Sequence, residues 1–194
     1  MTYQEAVTQG KYRTIVADPP WRYTVNHPGS RDKHVRAAED HYETLTQQQI
    51  ADIPVRDFAE QNAHLYVWVT NPVLTEQRSS GPNVFEIVRG WGFEPKTVLT
   101  WVKSESGSGL GWYFRGDTEH VVFAVRGTLA IPADERISNV FRASRGQHSR
   151  KPDAFLDLVE QVSPGPYLEM FSRRARLGWQ TWGDEALHGL EAVA

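Results

Sequence analysis

The chain has 194 residues, of which 40% are hydrophobic and 23% charged, a composition that predicts one ordinary domain with a sizeable core and excludes disordered and fibrous proteins. The lack of cysteine excludes disulfides, thiolate nucleophiles and cysteine-based zinc sites, and a net charge of −3 excludes a generic polyanion binder. No apolar run approaches the ~20 residues of a membrane span and no signal-peptide core is present, so we expect a cytoplasmic protein whose residues 1–194 form a single domain, with peripheral tails at 1–11 and 186–194.

Six short runs of β-branched and aromatic residues predict strands. Most of these runs are nearly continuously apolar rather than alternating, which is typical of strands buried on both faces of a largely parallel sheet. In chain order the predicted strands are residues 12–17, 63–70, 96–103, 120–126, 167–171 and 179–182.

Helical patterns lie between these strands. The clearest is 152–162, where apolar residues recur at i, i+3, i+4 and i+7 and a Ser-Pro-Gly-Pro sequence follows. Weaker helices are predicted at 46–52 and at 83–89. Strands that alternate with helices predict a three-layer α/β domain with a mostly parallel sheet.

Two long segments, 22–40 and 104–117, match neither pattern. Long loops in a compact domain are usually functional or disordered. The second segment has four glycines around three aromatic residues, which favours a loop that touches substrate over a plain linker.

The most specific local feature is the sequence Asp-Pro-Pro-Trp at 18–21, directly after the first predicted strand, where ligands bind in open α/β sheets. Its two prolines lack N–H groups and fix φ, which leaves a stiff turn with outward carbonyl acceptors. A planar base with an exocyclic amine matches this turn, because Asp18 and the carbonyl of Pro19 can accept the two amine hydrogens while Trp21 or Tyr23 covers the ring. The alternative is a Pro-Pro turn in which Asp18 is only a local cap.

Further distinctive segments follow that turn in a fixed order. They are His-Tyr-Glu-Thr-Leu at 41–45, Leu-Tyr-Val-Trp-Val-Thr-Asn at 65–71, Trp-Gly-Phe at 91–93, Trp-Val-Lys at 101–103, Glu-His at 119–120, Ser-Arg-Lys-Pro at 149–152, Ser-Pro-Gly at 163–165, Leu-Glu-Met-Phe at 168–171, Gly-Trp at 178–179 and Trp-Gly at 182–183.

With these segments the sequence resembles the adenine-N6 methyltransferases that carry the Asp-Pro-Pro-Trp signature, the family named after the seventy-kilodalton subunit of the eukaryotic mRNA adenosine methyltransferase. The resemblance covers about residues 12–185. It implies a Rossmann-like domain that uses S-adenosylmethionine to methylate the N6 amine of adenine. The compact form is similar to bacterial and phage members, for which DNA is the favoured target over RNA.

The resemblance also implies roles for individual residues. The catalytic motif corresponds to Asp18, Pro19, Pro20 and Trp21. Lys151 corresponds to the lysine that holds the methionine carboxylate of the cofactor. A lysine at a helix start also suits an anionic ligand because its charge adds to the positive end of the helix dipole. The alternative for this lysine is a surface side chain. The segment 172–176 departs from the glycine-rich cofactor loop of other methyltransferases, because it is rich in arginine. The residues implied to line the cofactor are Asp18, Lys151, Phe171, Arg173, Arg176, Asp184 and Glu185.

Nucleic acid is the partner that the resemblance implies. The segment from Arg142 to Arg176 has seven basic and four acidic residues, a net charge of +3 in an acidic protein, which suggests an anionic ligand. The alternative is a solvated surface with ordinary ion pairs, which charge alone would favour. Three tryptophans, Trp68, Trp91 and Trp101, are expected in the core rather than against a base. The residues expected to contact the substrate are Arg22, Tyr23, Tyr42, Trp112, Arg115 and Glu119.

No metal is required for this chemistry, and we interpret His27, His34 and His41 as surface or substrate-loop residues rather than ligands. Two other functions stay open: an inactive relative that binds nucleic acid or a partner chain, and an enzyme that methylates another amine. The intact turn at 18–21 argues against the first, and the basic segment and aromatic-rich loops argue against the second. A homo- or hetero-oligomer is compatible with the sequence.

Overall fold

The computed structural model describes residues 10–22, 44–75, 81–104, 114–145, 151–172 and 175–182. Within these residues seven strands form one sheet, and helices pack on both of its faces. The strands are β1 (Tyr12–Ala17), β2 (Ala59–Val69), β3 (Glu94–Lys103), β4 (Thr118–Arg126), β5 (Val140–Ala143), β6 (Tyr167–Met170) and β7 (Trp179–Trp182).

The helices are short, and capping boxes fix where two of them begin. Thr46 and Gln49 bond reciprocally at the start of the first helix, and Asn83 and Glu86 do the same at the third, which satisfies N–H groups that a helix start leaves unpaired. The helices are α1 (Gln47–Ala51), α2 (Asn71–Thr75), α3 (Val84–Gly90) and α4 (Asp153–Val162), with 3-10 turns at Val55–Asp57 and Ala133–Glu135. No helix in the described part of the chain combines the length and apolar character needed to cross a membrane.

The strand order is β5-β3-β4-β2-β1-β6-β7, and among these strands β4 alone runs antiparallel to its neighbours. Ile15 and Val16 are adjacent in β1 yet belong to different buried clusters, because successive side chains of a strand point to opposite faces. Helices α1, α2 and α3 pack on one face and α4 on the other. The prediction of a three-layer α/β domain with a mostly parallel sheet is therefore confirmed.

All six predicted strands are present, but β5 and α2 were not predicted. Strand β5 has four residues at the sheet edge, and its exposed Arg142 interrupts the apolar run that would have marked it. Helix α2 has five residues and contains Pro72, a residue that is tolerated in the first turn of a helix but reads as a helix breaker in sequence.

One edge of the sheet gathers charged residues from several of the distinctive sequence segments. Strands β1, β2, β3 and β6 end at this edge and antiparallel β4 begins there, and we call it the carboxyl edge. Asp18 follows β1, Lys103 ends β3, and Glu119 lies near the start of β4. The opposite edge, where β1, β6 and β7 begin, is called the amino edge.

Candidate active site

The Asp-Pro-Pro-Trp turn is tied to two neighbouring segments and is closed by one hydrogen bond of its own. The Asp18 amide donates to the carbonyl of Met170 at 3.4 Å, and the Leu45 amide donates to the carbonyl of Pro20 at 2.8 Å. The Trp21 amide donates to the carbonyl of Pro19 at 2.8 Å, a three-residue turn that occupies one of the two lone pairs of that oxygen. The turn is therefore rigid, and the Pro19 oxygen keeps capacity for one more hydrogen bond.

The Trp21 side chain anchors this turn in the core and does not face a ligand. Its side chain is 5% exposed and packs in the core, and its indole N–H donates to the carbonyl of Trp68 at 2.8 Å. The expectation that the Trp21 ring covers a base does not fit this position, because the ring is already buried against protein. Its role in the structure is to fix the turn.

A row of alternating charges extends from the turn along the carboxyl edge. The Lys151 ammonium lies 2.9 Å from Oδ2 of Asp18 and 3.4 Å from Oε2 of Glu119, while Lys103 Nζ lies 2.7 Å from Oε1 of Glu119. Lys151 also lies 5.2 Å from the centroid of the Trp68 ring, within range of a cation–π attraction. The structure thus joins Asp18, Glu119 and Lys151, which the sequence analysis assigned separately.

Each inner member of this row is kept ionised by its neighbours. Burial alone would lower the pKa of Lys151, but the charges of Asp18 and Glu119 and their hydrogen bonds outweigh burial and hold the pKa of Lys151 above its ordinary value. Burial alone would raise the pKa of Glu119, but Lys151 and Lys103 outweigh it and hold the pKa of Glu119 below its ordinary value. The centre of the site therefore presents fixed charge at neutral pH.

Lys103 and Thr70 belong to this edge and were missed as site residues. Lys103 ends the Trp-Val-Lys segment and lies on the same face of β3 as Trp101, which pairs with Glu119 in register. The period-two alternation of β3 was the available signal for it. Thr70 follows β2, and its buried hydroxyl has no hydrogen-bond partner among the described residues.

Phe171 lies next to the turn and has strained backbone geometry. It follows β6, directly after the Met170 carbonyl that accepts from Asp18, and its φ of 62° is uncommon for a residue with a side chain. Its ring packs against Trp182 at a centroid distance of 5.4 Å. Strain of this kind concentrates at functional sites, and here it occurs directly after the residue that bonds the Asp18 amide.

Arg22 and Arg115 lie on the surface. The Arg22 guanidinium donates to the hydroxyl and the carbonyl of Thr44, both at 3.2 Å, and Arg115 is exposed in the turn before β4. The remaining predicted residues lie outside the described residues; they are Tyr23, Tyr42, Trp112, Arg173, Asp184 and Glu185, together with His27, His34 and His41.

Arg176 is not brought together with Asp18. Its guanidinium bonds Glu160 at 2.8 Å and Asp157 at 2.6 Å, both on α4, at the amino edge. The chain crosses the sheet after β6 in order to begin parallel β7, and this crossing carries Arg176 away from the carboxyl edge. The expectation that Arg176 contacts the cofactor does not fit this position.

The described residues hold no group of three or more side chains arranged to bind a metal ion. They offer instead the Asp18 carboxylate at a rigid turn, the Pro19 carbonyl, which can accept one more hydrogen bond, and the Lys151 ammonium, which its ion pairs hold in place. This set can accept hydrogen bonds from an amine and can hold a ligand that carries both positive and negative charge.

Comparisons of the sequence with known proteins indicate one family of methyltransferases. A family model described as MT-A70 matches residues 12–185. The type II methyltransferase M.MunI from a Mycoplasma species is 30% identical over 190 residues, covering 90% of this chain and 78% of the relative. The human N(6)-adenine-specific methyltransferase METTL4 is 29% identical over 91% of this chain, and the N6-methyladenosine RNA methyltransferase MTA1 of Cryphonectria parasitica is 30% identical over 89%. The chain spans 38% of the human relative and 51% of the fungal one.

Proposed function

The chain belongs to the MT-A70 family, as its sequence segments predict, and on this premise we propose that it transfers a methyl group to the N6 amine of adenine in nucleic acid. The observation that carries the proposal is the rigid Asp-Pro-Pro-Trp turn at the carboxyl edge, with the Asp18 carboxylate held 2.9 Å from Lys151. The names of the human and fungal relatives support the same acceptor, since both state N6 methylation of adenine or adenosine.

Asp18 and Pro19 activate the acceptor amine in this proposal. The adenine amine is a poor nucleophile because its lone pair is delocalised into the ring. Hydrogen bonds from its two N–H groups to the Asp18 carboxylate and the Pro19 carbonyl draw the nitrogen toward tetrahedral geometry. These bonds strengthen as positive charge develops on the nitrogen, so they stabilise the transition state more than the ground state. The nitrogen that gains the methyl group loses one proton, and Asp18 is positioned to accept it.

The residues at this edge fit the proposed donor, S-adenosylmethionine. Its methionine part carries a carboxylate and an ammonium, and the donor set of Lys151 with Asp18 and Glu119 offers the complementary charges. The orphaned hydroxyl of Thr70 is a further sign that a polar ligand completes this edge. When bound, S-adenosylmethionine supplies an electrophilic methyl group.

Lys151, Asp18 and Phe171 are the described residues that we propose to hold the donor. Lys151 brings the positive charge for the carboxylate, and Glu119 keeps that ammonium in place from the other side. Phe171 directly follows Met170, whose carbonyl accepts from the Asp18 amide. Arg173, Asp184 and Glu185 complete the proposed donor site. Arg176 is left out because its guanidinium is held by α4.

Arg22, Arg115 and Glu119 are the described residues proposed to contact the nucleic acid, with Tyr23, Tyr42 and Trp112 as the others. DNA is proposed ahead of RNA because it is the target that the resemblance to bacterial and phage members favours. A target inside a duplex must leave the base stack at a cost of a few kcal/mol, or lie in a single strand already.

The test is methyl transfer from labelled S-adenosylmethionine to DNA, RNA and protein, followed by mass-spectrometric analysis of the nucleosides. We expect N6-methyladenine in DNA with the wild type and a rate about a hundred- to a thousandfold lower with Asp18→Asn, which keeps the shape of the side chain but removes its charge. Transfer to RNA alone would change the target class and leave the mechanism standing. Transfer only to protein, or equal rates for the two chains, would overturn the proposal.

A further inference from the structure

Phe114 is an aromatic side chain that the fold does not bury. It is 88% exposed, although the described core takes in the other phenylalanines of the sheet and helices. A ring left in water gains nothing from burial, so packing in the described structure gives no reason for an aromatic side chain at this position.

The turn that carries Phe114 is nevertheless well anchored at its base. The Lys103 amide donates to the carbonyl of Asp117 at 2.9 Å, the Asp117 amide donates to the carbonyl of Arg115 at 3.1 Å, and Arg145 donates to the carbonyl of Gly116 at 3.3 Å. The residues that directly follow Phe114 are therefore held in place by these hydrogen bonds.

That base lies at the carboxyl edge, beside the proposed site. Lys103 ends β3 and contacts Glu119, which contacts Lys151, and Lys151 contacts Asp18. The turn containing Phe114 leads directly into β4, where Glu119 lies. The turn that carries the exposed ring thus lies at the carboxyl edge, where the acceptor amine is expected.

The charge around the turn favours a polyanion over an apolar protein surface. Arg115 lies next to Phe114, Arg145 bonds the turn, and Arg142 is exposed on β5, with Asp117 as the opposing carboxylate in the turn. An aromatic ring beside cationic side chains is the arrangement with which proteins hold unpaired nucleic-acid strands, because every base has a π-face and every phosphate a charge.

We propose that Phe114 is a stacking platform for the nucleobase next to the target adenine. The inference rests on the proposed function. When the target base leaves the stack, its neighbour loses a stacking partner, and an exposed ring at the rim replaces that partner. Phe114 thereby binds the strand without touching the reacting atoms.

Leu177 provides a matched control. It is 100% exposed, an apolar side chain like Phe114, but it lies beside Arg176 at the amino edge. Leu177→Ala removes an equally exposed apolar side chain from the other edge of the same fold.

The test measures binding of a fluorescein-labelled single-stranded DNA of mixed sequence by anisotropy, for the wild type, Phe114→Ala, Phe114→Trp and Leu177→Ala. We expect Phe114→Ala to raise the Kd for the strand about tenfold or more, Phe114→Trp to restore it, and Leu177→Ala to leave it within about twofold of wild type. Calorimetry with S-adenosylmethionine should give the same donor affinity for all four chains.

Three results would overturn the inference: a wild-type strand Kd for Phe114→Ala, an equal loss for Leu177→Ala, or a change of oligomeric state for Phe114→Ala in light scattering, which would mark a protein contact. The binding assay needs no catalysis. Failure of the wild type to methylate any nucleic acid would therefore count against the proposed function, and the strand Kd would still decide the role of Phe114.

Discussion

The two edges of the sheet each hold a polar network, and the networks differ in kind. At the carboxyl edge four ionised groups alternate in sign from Asp18 to Lys103, and their side chains stay partly exposed. At the amino edge Tyr66, Ser163 and His64 form a neutral network that is buried almost completely.

The neutral network has one consistent direction. The Leu129 carbonyl can only accept, so His64 Nε2 carries the proton in the 3.1 Å bond between them, and Nδ1 is left as an acceptor. The Ser163 hydroxyl then donates to Nδ1 at 2.8 Å, and the Tyr66 hydroxyl donates to Ser163 at 2.7 Å. Every donor in this network of three side chains therefore has an acceptor.

Polar groups that are buried in this fold have two different uses. A neutral, fully paired network stabilises one conformation and has nothing to offer a ligand. Charged groups that share partners at a partly open edge can exchange one partner for a ligand of the same charge. Substitutions at the carboxyl edge should therefore change binding and rate, and substitutions at the amino edge should change stability alone.

Lys151→Met gives the largest expected effect on binding of the donor. Loss of the ammonium removes the charge opposite the donor carboxylate and leaves Asp18 and Glu119 without the cation between them. We expect the Kd for S-adenosylmethionine, measured by calorimetry, to rise about 10- to 150-fold. Lys103→Met is the matched control, since it leaves the contact between Lys151 and Asp18 in place, and it should raise the Kd less than about threefold. Equal effects of the two variants would contradict the assigned role of Lys151.

Ser163→Ala tests the other edge. The variant leaves the Tyr66 hydroxyl and His64 Nδ1 buried without partners, so the free energy of unfolding in urea should fall by about 1–3 kcal/mol while the donor Kd stays unchanged. Tyr66→Phe should lower it less, because Ser163 can still donate to His64. A larger loss for Tyr66→Phe than for Ser163→Ala would show that the network does not run in the direction given above.

The pH dependence of stability should also originate at the amino edge. Burial lowers the pKa of His64; the hydrogen bond to Leu129 opposes this shift and the charge of Arg13 adds to it. The unfolded chain takes up a proton near pH 6.5 and the folded chain does not, so stability is full above that pH and falls as the pH drops below it.

Urea unfolding between pH 7 and pH 5 measures this slope. His64→Gln should reduce it by up to about 1.4 kcal/mol per pH unit. His120→Gln should reduce it less, because burial is the main cause that lowers both pKa values and His120 is less buried than His64. Identical slopes for wild type and His64→Gln would show that His64 does not set the acid limit.

Arg176→Gln should have the smallest effect. Its ion pairs with Asp157 and Glu160 are partly exposed, so the free energy of unfolding should fall by less than about 1 kcal/mol. The donor Kd should not change. A tenfold rise in that Kd would place Arg176 in the donor site, as its position in the sequence suggests.

Features that depend on local chemistry can be predicted from the sequence. The apolar run of β1 and the stiff turn after it are enough to locate Asp18 at the carboxyl edge. Lys151 can be singled out as a candidate site residue because it precedes a clear helix and matches a family segment.

Features that depend on register were not predictable. The contact between Lys103 and Glu119 follows from how antiparallel β4 aligns with β3, which the order of residues along the chain does not reveal. Trp21 was misjudged because nothing in the sequence shows that its indole bonds the carbonyl of Trp68. Arg176 was misjudged because closeness to β6 in sequence hides the crossing that moves it to the opposite edge.

A crystal structure of the chain with adenosine and S-adenosylhomocysteine would test the central claim most directly. We expect the adenine amine nitrogen within about 3.2 Å of both the Asp18 carboxylate and the Pro19 carbonyl, with the homocysteine carboxylate on Lys151. An adenosine whose amine points away from Asp18, or an S-adenosylhomocysteine bound away from the carboxyl edge with no room for a base between them, would contradict it.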